Sequence, residues 1–180
     1  MDYSQFTELI KKPLFKQEIL HLAQVALSHP ELLEKAVEIS AGSNQHGAIR
    51  ASWMISHAFD LEHSAVLPYL NDLVRIALET PHESVRRIYL RVIANTSIQE
   101  VHASQLIDPC LRWMVSESYP VAVRCNAMQV VCNICIMEPT LAHEVMVLIQ
   151  ELEEFGSPAF KAKSRHVRKR LAKISFSQLE

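Results

Sequence analysis

The chain has 180 residues, 49% of them apolar and 21% charged, with a formal net charge of −2. That length predicts one domain over 1–180, and the apolar content predicts a continuous core. The near-neutral balance argues against a chain-wide electrostatic nucleic-acid binder. Met1-Asp2-Tyr3-Ser4-Gln5-Phe6 has neither the basic nor the apolar region of a secretory leader, and no apolar run approaches the roughly 18 residues of a membrane span. A soluble, cytoplasmic protein is the expectation. Only three glycines occur, too few for the tight turns of a sheet protein.

Apolar spacing predicts helices in chain order over about 4–12, 15–28, 30–41, 46–60, 64–79, 82–95, 98–115, 120–136, 140–155 and 158–175. Pro13 separates the short first helix from the next. Ser28-His29-Pro30-Glu31, Thr80-Pro81-His82-Glu83 and Ser97-Ile98-Gln99-Glu100 read as capping boxes, in which a hydroxyl and a carboxylate satisfy the first free N–H groups. Pro139 and Ser157-Pro158 mark further helix starts. Gly42 and Gly156 fall just past helix ends, where a left-handed cap would favour glycine.

A template recurs through these helices: an apolar residue, a basic one, then small or apolar residues at +4 and +7. It starts at Phe15-Lys16, Ile49-Arg50, Val85-Arg86, Val123-Arg124 and Phe160-Lys161. The 0, +4, +7 spacing is one face of a helix. Each template helix is followed by a second amphipathic one, as in Leu67, Leu70, Val74, Ala77 and in Leu141, Val145, Leu148, Leu152. Helical pairs at a regular period cannot bury their apolar faces alone, so they stack and share a core.

The apolar-basic pairs Ile49-Arg50, Val85-Arg86 and Val123-Arg124 resemble those of the HEAT-repeat family, most clearly over 46–152. The resemblance implies an all-α, right-handed α-α superhelix (a HEAT-like solenoid) of about five helical pairs, with 158–175 as a basic capping helix. It also implies that Arg50, Arg86 and Arg124 bond to neighbouring repeats as a structural ladder, and that the second helices line a concave face. Tyr69, Asp72, Arg75 and Gln105 are candidate partner contacts on that face. Asp108, Arg112, Trp113 and His143 extend it. Trp53 occupies a +4 template position and is expected in the core, whereas Trp113 lies beside the stripe of Leu106, Cys110 and Met114.

Residues that could carry chemistry are sparse. Cys132-Asn133-Ile134-Cys135 has no second ligand pair for zinc, so Cys110, Cys125, Cys132 and Cys135 are read as reduced core thiols. The nine histidines are scattered and are read as surface or helix-end residues. No nucleophile elbow or glycine-rich phosphate loop occurs. No catalytic, cofactor or metal residue is assigned, and the chain is read as a non-enzyme.

Charge is uneven at one place. Lys161, Lys163, Arg165, Arg168, Lys169, Arg170 and Lys173 put seven cations within 158–175 with no acid among them. A solvated cap is the plain reading. A patch for anions, centred on Lys161, Arg165, Arg168, Lys169 and Arg170, is the sharper one. The expected function is therefore a non-catalytic protein-interaction or scaffold module, with a protein partner, no membrane, and self-association through the stack ends as a variant. The alternative is a nucleic-acid binder related to the HEAT-like alkylated-DNA repair glycosylases, working through the basic helix.

Overall fold

The computed structural model describes residues 3–176, which are helical apart from short connections, with no strand among them. The helices are α1 (Tyr3–Lys11), α2 (Lys16–Leu27), α3 (Pro30–Ser40), α4 (Gln45–Leu61), α5 (His63–Val66), α6 (Leu70–Glu79), α7 (Glu83–Ala94), α8 (Glu100–Val115), α9 (Val121–Met137), α10 (Ala142–Phe155) and α11 (Pro158–Phe176). They fall into two compact units, Met1–Val92 and Ile93–Glu180.

The segment expected as one helix over 64–79 is divided into α5, a 3-10 turn at Leu67–Tyr69, and α6. Pro68 is the cause. It has no N–H to donate, and its ring crowds the preceding turn. Pro109 sits inside α8 without breaking it. The helical acceptor it leaves without a donor is the carbonyl of Gln105, a residue on the exposed side of the helix.

Helix starts depart from the expected capping boxes. Ser28 and Thr80 are the C-terminal caps of α2 and α6, so neither starts the next helix. His29 and Gln99 stand at the N-caps of α3 and α8 without a side-chain capping bond. Thr80 Oγ1 instead accepts the N–H of His82 at 3.1 Å. The observed caps lie elsewhere. Glu18 Oε2 accepts from the Phe15 N–H at 2.7 Å, and Asn44 Oδ1 accepts from the Gly47 N–H at 2.8 Å.

In the first unit, α4 packs against α1, α2 and α3. Phe6 and Ile10 of α1 are fully buried. Each is worth about 1.5–3 kcal/mol of transfer free energy, which holds this short helix in place. In the second unit, α9 packs against α8, α10 and α11. Its apolar residues, from Val123 through Val130, Val131 and Cys132 to Cys135, are not confined to one stripe, and the buried Arg124 and Gln129 among them are hydrogen-bonded, as a helix surrounded by others requires. Ser164 and Val167 of α11 are buried as well, so the imperfect serine of the template still marks the inward face.

Neither cap glycine is left-handed; no glycine among the described residues has a positive φ. Gly156 answers to space instead. A Cβ there would lie 2.6 Å from Cδ1 of Phe160, a fully buried ring.

Candidate functional site

Most arginines are used inside the fold. Arg50 Nη1 donates to the carbonyl of Lys11, the last residue of α1, at 2.8 Å. Arg86 Nε donates to Ala77 O at 3.1 Å, and its Nη groups reach Thr80 O and Glu83. Arg124 Nε donates to Met114 O at 3.0 Å, and its guanidinium lies 4.5 Å over the Phe160 ring. Each guanidinium thus meets carbonyls at the C-terminal end of an earlier helix, where acceptors are free and the helix dipole is negative. Arg86 and Arg124 are buried, so the template arginines act as internal helix caps.

Among the residues proposed as partner contacts, Tyr69, Asp72 and Arg75 belong to the first unit. Tyr69 is half-buried and its hydroxyl donates to Pro30 O at 3.2 Å. Arg75 pairs with Asp72 at 2.9 Å and with Glu79 at 3.5 Å. The rest belong to the second unit. On α8, Val101, Gln105, Asp108, Arg112 and Val115 follow one another at three- and four-residue steps, and all five are exposed. The two valines stand 52% and 42% exposed, and Gln105, Asp108 and Arg112 make no side-chain bond or ion pair. His143, the second residue of α10, is also exposed.

The tryptophans differ from expectation in opposite senses. Trp113 is buried, because the core stripe of α8 runs His102, Leu106, Cys110, Trp113 and turns with the 3.6-residue period. It packs inside the unit and does not belong to the outward row. Trp53 is only half-buried and sits beside His57, with ring centroids 5.7 Å apart. His102 is a further departure from a surface assignment. It is buried, its Nδ1 has no partner, and burial lowers its pKa from 6.5.

The basic helix α11 divides its cations between two faces. Towards α10, Arg168 donates to Glu153 Oε2 at 3.0 Å and Gln150 Oε1 at 3.1 Å, and Arg165 lies 4.0 Å from Glu153. Together with Met146, Lys169 and Ala172, these two line an open groove of about 310 Å³. Lys161 is half-buried on this helix's first turns. Towards α9, Lys163 Nζ donates to Gln129 Oε1 at 2.6 Å, and Arg170 Nη1 lies 3.4 Å from Asn133 Oδ1. The five residues proposed as one anion patch are therefore not one surface.

All four cysteines are free. Burial raises each thiol pKa, that of Cys135 to about 12. Among the described residues, no group of three or more His, Cys, Asp or Glu side chains is placed to hold a metal ion. No described helix is long and apolar enough to cross a membrane.

Helices at a regular period, three of them carrying an arginine that caps an earlier helix end, mark a helical-repeat protein. The family model for the HEAT repeat domain matches residues 6–171, and the chain belongs to that family. No curated protein and no solved structure matches it.

Proposed function

We propose that the chain is a non-catalytic protein-interaction module and that the outward row of α8 is its principal contact surface. The observation that carries this is the row itself. Val101 and Val115 offer apolar area at its two ends, and Gln105, Asp108 and Arg112 between them hold no internal partner. Most other arginines close helix ends or pair with acids, so an unpaired Asp and Arg on one helical face are available to a partner. The three polar side chains, solvated in the free chain, can bond directly to a partner, and the two valines add apolar area to the same contact. His143, in the same unit as α8, is a secondary contact in this reading.

Affinity capture with the full chain, compared with a Gln105→Lys, Asp108→Arg, Arg112→Glu variant, tests it. A partner recovered reproducibly by the wild type and lost with the variant supports the reading. Equal recovery by both removes α8 from it.

The nucleic-acid reading draws on α11. The division of its cations over two faces, with Arg168 already paired to Glu153, supports it less well than one continuous ridge would.

A further inference from the structure

A second concavity lies in the Ile93–Glu180 unit, between the α7–α8 connection, the end of α9 and α11. It has a volume of about 330 Å³ and is lined chiefly by polar surface. Asn95, Thr96 and Ser97 come from the connection, Asn133 from α9 and Arg170 from α11. Ile98, Ile136 and Met137 form an apolar margin, and Ile136 is 52% exposed.

The polar floor is held rigidly. Asn133 Nδ2 donates to Ala94 O at 2.8 Å, and its Oδ1 accepts from Gln129 Nε2 at 3.0 Å. Gln129, buried, is fixed in turn by Lys163. Arg170 stands on this floor with a single long contact, 3.4 Å, to the neutral amide of Asn133. No carboxylate lies within ion-pair distance of it among the described residues. Arg75, Arg86, Arg91, Arg165 and Arg168 all have one. A half-buried guanidinium presents five donors in a planar fork that matches a carboxylate, and here most of that fork is unused.

We infer that this pocket receives a carboxylate-bearing segment of a partner protein, with the acid paired to Arg170 and a neighbouring aliphatic side chain against Ile136 and Met137. The inference rests on the protein-contact reading and assigns a second contact to it. One guanidinium suits one carboxylate, because the adjacent cation, Lys163, already points at Gln129. The exposed aliphatic margin suits a peptide side chain and gives a free phosphate nothing to bury.

The test is a nuclear magnetic resonance titration of the full chain with the acetylated, amidated tripeptide Leu-Glu-Leu. Leu-Gln-Leu and inorganic phosphate serve as comparison probes. The expected result is perturbation of the Arg170 Nε–H and Asn133 side-chain signals by Leu-Glu-Leu. Binding should weaken about tenfold or more in Leu-Gln-Leu and in Arg170→Gln, the loss of a charge-assisted pair. Ile136→Asp, on an exposed side chain, should weaken it too and guards against a folding defect in the first variant. Absence of binding, binding indifferent to Arg170→Gln, or tighter binding of phosphate at the same signals would each overturn the inference. Capture by the α8 surface is measured separately, so its loss and the loss of this site are distinguishable.

Discussion

The guanidinium of Arg124 lies 4.5 Å over the ring of Phe160 while its Nε–H closes the carbonyl of Met114. One side chain therefore joins α8, α9 and α11. Replacing it with methionine leaves the Met114 carbonyl without its donor and removes the cation–π contact, a cost of about 2–4 kcal/mol. Arg50→Met, at a less buried site, should cost about 1 kcal/mol. Urea denaturation midpoints of the two variants check the order.

Gly156→Ala should destabilise by about 1–3 kcal/mol, because its Cβ would meet the Phe160 ring at 2.6 Å and that ring has nowhere to move. Gly42→Ala meets only Ile39 O, at 3.2 Å, on an exposed turn, and should change stability by no more than about 0.5 kcal/mol. Thermal unfolding of both distinguishes steric contact from backbone conformation as the reason for glycine. In the double variant, Phe160→Leu should lessen the additional loss caused by Gly156→Ala.

Within the first unit, the hydroxyl of Tyr89 donates to Ser40 Oγ at 2.5 Å, which itself donates to Val37 O at 2.7 Å. Both residues are fully buried. Tyr89→Phe removes one bond and leaves Ser40 satisfied by Val37, a loss of about 1 kcal/mol. Ser40→Ala strands the buried phenol and should cost more, about 1–3 kcal/mol. Denaturation of the single and double variants gives the coupling directly.

His102 makes stability depend on acidity. Burial favours its neutral form, so its folded pKa lies below the ordinary 6.5. The unfolded chain then takes up the proton first as pH falls. Stability is complete above about 6.5, declines as pH drops from there towards the folded pKa, and levels off below it. His102→Gln should flatten that part of a stability–pH curve measured by denaturant titration.

Much of the architecture is legible from period alone. The bounds of α2, α3, α4 and α9 fall within a residue of the spacing-based assignment, because the apolar stripe that buries a helix also defines its length. Caps are less legible. Ser28 and Thr80 have the right chemistry for a helix start, but the connections are so short that they still close the preceding helix. Side-chain facing fails where two stripes are possible. Trp113 lies three residues after Cys110, and a +4 rule passes over it. The α11 cations fail as one patch for a related reason. Lys163 and Arg170 are two turns apart on one face, whereas Arg165, Arg168 and Lys169 line another. Arg170 is conspicuous only once Asn133, 37 residues away in sequence, stands beside it.

The central claim is that α8 meets a protein partner through its outward row. Site-specific photo-crosslinking in cells that express the chain tests it most directly, with benzoylphenylalanine at Gln105 or Asp108 and at Glu34, an exposed position on α3. A discrete adduct of one mass from 105 and 108, absent from 34, is the predicted result. No adduct from either α8 position, or the same adduct from Glu34, would contradict it.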